Sequence, residues 1–358
     1  MTYVLNGVGQ LQGAFSTEDQ PTSAWIDATR ANKSAVFVDI DGTLVWGGIC
    51  QQPKYSMANQ QMTFTANDFC QYVSQRLQAK NYATNWSTQA KAAGTAQMAY
   101  TIISDAISEA PVLPISVSTP AAIPSEYAIT FAAPLSQRQS VGSLLSQLQE
   151  MGYLIGFDYA CDVSYVGGTP TATITLSYPR RGRLAGQTDL VFDVAQADEF
   201  TWEEDGTLQA MRIAEMGSGT GGSTTIVTYE PAISQDGYPI LEGTSNKTAF
   251  SPAALPAAVL AAWGQNDLAL YAYPPVTPTL TVPAFGTPTL GDWIIGDDIE
   301  LVIGTDEGGL PNVPRFPNGL DVYMRIVQAS VTIAQEGKST VDFTLNMPPT
   351  NTPQLPPQ

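Results

Sequence analysis

Ala35-Val-Phe-Val-Asp-Ile-Asp-Gly-Thr-Leu-Val-Trp-Gly-Gly-Ile49 is the stretch whose reading decides the fold. Val36, Val38 and Ile40 alternate with Phe37, Asp39 and Asp41, the period of two that marks a strand. Asp41-Gly42 is a turn signal, because Gly takes positive φ without steric cost and Asp tolerates it. Thr43 to Trp46 resumes β-prone sequence, so the first expectation is a hairpin turning at Asp41-Gly42. The same period also puts Asp39 and Asp41 on one face of the strand, as a site holding a cation between carboxylates needs.

That second reading has a family behind it. Val36-Phe-Val-Asp-Ile-Asp-Gly-Thr-Leu44 resembles motif I of the haloacid dehalogenase superfamily. The resemblance implies that Asp39 attacks phosphorus, that Asp41 acts as acid/base beside Mg2+, and that Gly296-Asp297-Asp298 supplies the acidic pair of motif IV. The other two motifs fail. Ile102-Ile103-Ser104 lies in a helical pattern, and Lys247 lies in the loop sequence Thr-Ser-Asn-Lys-Thr-Ala. The superfamily also requires strands and helices alternating around a parallel sheet, whereas long stretches here carry strands and no crossover helix. A short motif without its structural context is weak. The expectation is therefore no catalytic, cofactor-binding or metal-binding residue, with a Mg2+-dependent phosphatase using Asp39 and Asp41 as the alternative.

Composition narrows the classes further. The chain has 358 residues, of which 44% are apolar and only 13% charged, against roughly 25% charged in an ordinary domain. Ser, Thr, Gln, Asn, 30 Gly and 26 Pro take the place of charge, which favours turn-rich β structure. Net charge is −18, which argues against a nucleic-acid-binding groove built on Lys and Arg. The acids are local: nine between Thr188 and Glu230 against the single base Arg212, and six between Gly291 and Glu307 with no base. Arg180, Arg181 and Arg183 are the one basic cluster, too small to hold a polyanion. With no histidine, Ser-His-Asp and Cys-His catalysis and His-ligated metals are excluded. Cys50, Cys70 and Cys161 are far apart with no CxxC and read as reduced core residues. The N-terminal residues lack the pattern of a secretory signal, and no apolar run approaches a membrane span.

Along the chain, Trp25-Ile26 is the expected anchor of the first turn-rich segment. A strand over Ser56–Thr65 leads to a helix starting at Thr65 or Asn67, with Thr65 and Asp68 as a capping box. Further helices are expected over about Ser87–Glu109, Gln139–Met151 with Gly152 as its stop, and Ala253–Trp263. Strands are expected at Tyr153–Tyr159, Thr171–Tyr178, Leu190–Val194, Phe200–Glu204, Gln209–Glu215, Ile299–Ile303, Val322–Val327, Ala329–Ala334 and Thr340–Leu345, with Glu336-Gly337-Lys338 turning between the last two. Gly217–Ser223 lacks the Lys-Ser/Thr of a phosphate loop and reads as an inter-strand loop.

Asp41-Gly-Thr-Leu44 recurs as Asp205-Gly-Thr-Leu208, each between two expected strands, which points to an internal duplication. With these parts in order, the chain resembles the tail-tip hub proteins of long-tailed bacteriophages. The residues that carry the resemblance are Asp41–Ile49, the helix-rich insertion at 65–110, and Arg138-Gln-Ser-Val-Gly-x-Leu-Leu with Tyr153 to Asp158. Phe200-Thr-Trp-Glu-Glu-Asp-Gly, Trp293-x-x-Gly-Asp, Phe316-Pro-x-Gly and Arg325-Ile326 complete the set. The resemblance implies a mainly β fold with α+β insertions, built on two related antiparallel β-barrel domains each interrupted by an insertion. The expected division is 1–64 for the first barrel, 65–187 for a helical and α+β insertion, and 188–230 plus 291–347 for the second barrel. Residues 231–290 form an irregular Pro/Ala-rich insertion, and 348–358 an extended tail. The resemblance also implies a homotrimer around the DNA exit channel, in contact with distal tail or tube proteins and with tip or receptor-binding proteins. DNA passes without specific binding, and the Asp198–Asp205 acids are expected to face that channel. The protein would be a virion component assembled in the host cytoplasm, with no cofactor. A hexameric distal tail ring is the alternative within the structural class.

Overall fold

The computed structural model describes residues 1–17, 28–82, 95–108, 113–120, 133, 135–151, 156–207, 209–217, 226–229, 240–246, 257–304, 313–334 and 338–348. The first strands are β1 (Thr2–Val4), β2 (Gln10–Ser16), β3 (Ala35–Ile40), β4 (Thr43–Cys50), β5 (Lys54–Ser56) and β6 (Gln61–Asp68). β3 and β4 form the expected antiparallel hairpin. Asp41 and Gly42 take φ of 51° and 83°, two left-handed residues in a row, the type I′ geometry whose twist matches its flanking strands. A bulge between Val38 and Asp39 ends the regular ladder beside the turn. β2, β6, β4 and β3 lie side by side in that order, and β5 pairs with β6.

The expected strand from Ser56 is two strands, β5 and β6, and β6 runs through Asp68. Helix α1 (Phe69–Gln75) therefore starts later than Thr65 or Asn67, and there is no capping box at Thr65. Asp68 is itself the N-cap and accepts a hydrogen bond from Cys70 N; β6 pairing with β2 holds residues 61–67 extended. Helices α2 (Thr95–Ser108) and α3 (Val141–Met151) then pack on a small sheet of β7 (Ile115–Val117), β8 (Asp158–Val166) and β9 (Thr169–Ser177) in the order β7-β9-β8. Val73, Ile102, Ile103, Leu144, Leu148 and Ile174 form the centre of this insertion. Each such side chain contributes about 1.5–3 kcal/mol on burial.

The second sheet holds β10 (Val191–Asp193), β11 (Glu199–Thr201), β15 (Thr279–Pro283), β16 (Asp298–Ile303), β17 (Leu320–Thr332) and β18 (Thr340–Asn346), in the order β10-β16-β17-β18-β15-β11, with β1 also on β17. Its core includes Phe192, Leu280, Trp293, Leu301, Met324, Ile326 and Phe343. The two strands expected at Val322–Val327 and Ala329–Ala334 are one, bent by a bulge between Ile326 and Gln328. Thr279–Pro283, expected in an irregular insertion, is a full member of the sheet because it pairs with β18 over five residues.

The duplication is real but lies elsewhere than the repeated tetrapeptide. β2, β3, β4 and β6 run first-fourth-third-second across their sheet; so do β15, β16, β17 and β18, and every pair is antiparallel. The counterpart of the Asp41-Gly42 turn is thus the connection from β16 to β17. Asp205-Gly-Thr-Leu208 joins no hairpin. β11 pairs with β15, while β12 (Arg212–Met216) lies in a separate sheet between β13 (Ile226–Tyr229) and β14 (Glu242–Asn246). The Asp205 carboxylate accepts from Thr207 N at 2.8 Å and Thr207 Oγ1 at 2.6 Å, a local turn that redirects the chain. Helix α4 (Ala257–Tyr271) runs past its expected end at Trp263, because Leu268 packs with Ala210 and Ile213 under β12. Trp25-Ile26, the start of the helix expected from Ser87, Gly152 to Ile155, Lys247, most of Gly217–Ser223, Glu336-Gly337 and the tail beyond Pro348 lie outside the described residues.

Candidate functional site

Asp39 is exposed and its carboxylate is occupied locally. Oδ1 accepts from Gly42 N at 2.8 Å, closing the hairpin turn, and Oδ2 accepts from Tyr165 OH at 2.7 Å. That bond pushes the Tyr165 phenol up from its usual range. Asp297 and Asp298 are buried, and each is paired with an arginine. Asp297 takes Arg183 NH2 at 2.5 Å, Arg183 N at 2.7 Å and Ile294 N at 3.0 Å. Asp298 takes Arg180 NH2 at 2.5 Å and Ala185 N at 2.9 Å. The pairs assigned by the phosphatase motifs are therefore a turn and a buried ionic joint. No group of three or more Cys, Asp or Glu suited to a metal ion occurs among the described residues.

The joint is densely bonded, and sequence reasoning missed it. Arg181 forms a fork on Asp162 of β8, with NH2–Oδ1 at 2.5 Å and NH1–Oδ2 at 2.9 Å, and its Nε donates to Ile295 O at 3.0 Å. Asp158, at the start of β8, accepts from Asn6 Nδ2 at 2.7 Å, Arg181 N at 2.7 Å, and Arg325 of β17. Arg325 also donates to Gly296 O and Arg181 O. Such forks fix geometry as well as charge. Gly182 lets the two segments touch: its φ is +91°, and a Cβ there would lie 2.1 Å from Gly296 C. The joint thus ties the insertion, the β1–β2 corner and the second sheet together. Beside it is a cleft of about 280 Å3 lined by residues including Tyr3, Trp46, Cys161, Arg181 and Trp293.

The bare face of the sheets is the other notable surface. Register aligns Glu199, Thr281, Asp342, Ser330 and Thr2 in one row across β11, β15, β18, β17 and β1. Thr201, Thr279, Thr344, Gln328 and Val4 form the next row. Thr281 donates to Asp342 at 2.7 Å, and Thr201 and Thr279 hydroxyls meet at 2.6 Å. At the corner Thr2 Oγ1 donates to Gln10 O at 3.0 Å and accepts from Gln10 N at 2.8 Å, so the face passes from one sheet to the other. It continues through Gln12, Ala14, Thr65 and Thr63 of β2 and β6. Alternate residues point inward, as Phe200, Leu280, Phe343 and Ala329 do. The rows carry Glu199 and Asp342 and no Lys or Arg; Lys54 stands opposite Thr63 at the far rim. Over β3 and β4 the same side is covered by the insertion, through Phe37, Ile49, Phe69 and Val163.

The Asp198–Asp205 run is divided by this geometry, and its acids are exposed in the single chain. Glu199 stands on the polar face. Asp198 pairs with Lys338 at 2.5 Å. Glu204 accepts from Trp202 Nε1 and Arg315, which hold its carboxyl below the usual range. Asp205 is lowered by the Thr207 hydroxyl and N–H.

No protein-family model matches the sequence, and no curated protein matches it. Solved structures do. The chain is similar to a tail protein from Neisseria meningitidis MC58 with TM-score 0.60 and 13% identity, over 99% of this chain and 94% of that one. It is similar to the 43 kDa tail protein of prophage MuSo2 from Shewanella oneidensis with TM-score 0.57 and 14% identity, over 97% and 94%. It is similar to prophage tail protein gp18 from Listeria monocytogenes EGD-e with TM-score 0.51 and 13% identity, over 98% and 88%. The fold is that of phage tail proteins: mainly β, with two curled half-barrel sheets. Among the described residues no helix is long and apolar enough to cross a membrane.

Proposed function

We propose that the chain is a structural, non-enzymatic virion protein that forms a trimeric hub at the phage tail tip. Three copies ring the DNA exit channel and join the tail tube or distal tail ring to tip and host-binding proteins. The chain acts in the virion after assembly in the host cytoplasm. The observation that carries this reading is the polar face that passes from the second sheet through the Thr2–Gln10 corner onto β2 and β6, rich in Thr, Ser and Gln, with Glu199 and Asp342 in its rows and no Lys or Arg short of Lys54 at the far rim. A wall of that kind gives a polyanion no cation to bind, so DNA passes without adhering. The duplication supports three copies rather than six: with two like sheets per chain, three chains supply the six units that a six-fold tail requires. A hexameric distal tail ring would need only one sheet from each chain. The measurement is the mass of the purified protein in solution together with ring symmetry by electron microscopy. Three times the 38.1 kDa chain mass with a three-fold ring is expected. Six copies would favour the distal ring, and a monomer at all concentrations would overturn both.

A further inference from the structure

We propose that the outer edge of β3 is an assembly edge, which pairs with the outer edge of β11 in a second copy of this chain. The inference rests on the ring reading above and names the strands that close it. Across the two sheets the strands run β11-β15-β18-β17-β1, then through the Thr2–Gln10 corner to β2-β6-β4-β3. β11 and β3 are the two ends of that path. Among the described residues, no strand pairs with the far side of either.

The duplication says what is missing. In the second repeat, the strand equivalent to β3 is β16, and its edge is covered by β10 through Val191↔Glu300, Phe192↔Leu301 and Asp193↔Val302. Phe192 and Val194 from that segment enter the core. In the first repeat, the corresponding leader segment is Thr2–Val4. It is already committed elsewhere, as β1 on β17. Val36, Val38 and Phe64 of the first sheet are accordingly only partly buried. An edge strand usually carries Lys, Pro or a covering loop to prevent pairing; Ala35-Val-Phe-Val38 carries neither residue. A heterologous join of one end to the other end of the next copy closes into a ring when the rotation between copies completes a circle, as the three-fold reading requires.

The edge can be blocked without touching the hairpin. Cys50 N donates to Ser34 O at 3.0 Å, and hydrogen-bonded pairs alternate along an antiparallel ladder. Val36 and Val38 therefore bond to β4, while the N–H groups of Ala35 and Phe37 point to the free side. Ala35→Pro deletes one outward donor and no ladder bond. The expected result is a fold retained by circular dichroism and a shift of the mass from trimer to monomer. Hydrogen exchange of the wild type, read at Ala35–Val38 and Glu199–Thr201, gives a second measurement that needs no variant. Concentrating the protein from monomer to ring should slow exchange at Ala35, Phe37 and β11 at least tenfold, with Val36 and Val38 slow throughout. A ring that forms with Ala35, Phe37 and β11 still exchanging fast overturns the seam and leaves the ring reading standing. Normal assembly of Ala35→Pro does the same. Absence of any ring overturns both. If Ala35→Pro fails to fold, the exchange measurement alone decides.

Discussion

Replacing Arg325 by methionine removes one member of the buried joint while keeping most of its volume. Arg325 and Asp158 side chains are each 8% exposed, so their attraction is little screened and neither can turn to water. The change strips Asp158 of its only side-chain cation among the described residues, leaving Asn6 Nδ2 and Arg181 N as donors. It also strips Gly296 O and Arg181 O of a donor each. Breaking a buried pair from one side costs about 3–5 kcal/mol. The two donors still on Asp158, one side-chain amide and one backbone N–H, argue for the lower half of that range. With about 2.1 cal/mol/K of unfolding entropy per residue, ~4 kcal/mol lowers Tm by about 5 °C in a chain this long. Denaturant unfolding of the wild type, Arg325→Met, Asp158→Asn and the double variant forms a cycle. The double variant should cost at least ~2 kcal/mol less than the sum of the singles. For comparison, Lys80→Ala breaks an exposed pair with Asp105 and should cost under ~1 kcal/mol. If Arg325→Met lay within ~1 kcal/mol of the wild type with no coupling to Asp158, the joint would not hold the insertion to the barrel.

Gly182→Ala should destabilise the same joint by more than ~2 kcal/mol in the same unfolding assay, because positive φ and the Gly296 backbone both oppose a side chain. Asp68 is buried, which pushes its carboxyl up to about 7 against the backbone N–H groups of Gly9, Cys70 and Gln71. A folded pKa above the unfolded value means the native state binds the extra proton. Stability should therefore fall as pH rises from about 4 to 7, and Asp68→Asn should flatten that slope in unfolding curves. Asp39→Asn should leave p-nitrophenyl phosphate turnover with Mg2+ at the background of the wild type; turnover lost in the variant would revive the phosphatase reading.

What the sequence made legible was local. The Asp41-Gly42 hairpin follows from alternation and two residues that tolerate positive φ, and it needs no distant partner. The helices over Thr95–Ser108 and Val141–Met151 follow from apolar periodicity. The joint was hidden because its partners are remote: Arg183 and Asp297 are 114 residues apart, and Arg325 and Asp158 are 167 apart. In sequence they read as a small basic cluster and an acidic pair. Asp205-Gly-Thr-Leu208 misled because four shared residues say nothing about which strands pair. A better echo was present. The connection from the first to the second strand of each repeat carries Trp-Ile, at Trp25-Ile26 and at Trp293-Ile294. β15 was missed because Thr279-Leu-Thr-Val-Pro283 is short and lies in Pro-rich surroundings, and only pairing with β18 makes it a strand.

The duplication also explains why two sheets of the same topology differ so much at their edges. In the second repeat the chain runs from β10 on one edge to β11 on the other within eleven residues, Val191 to Thr201, so one segment serves both ends. Among the described residues the first repeat has no such segment; its leader crosses to β17, and that crossing joins the two sheets into one wall. Met1 N donates to Val331 O at 2.7 Å, Leu5 N to Val327 O at 3.0 Å and Trp46 Nε1 to Thr2 O at 3.3 Å, so the leader is bonded on both sides. A strand spent on joining repeats within the chain is not available to cover β3. Joining in cis and opening an edge in trans are therefore two consequences of one strand placement. Returning the leader to β3 would close the first barrel only by unpairing the wall at its middle.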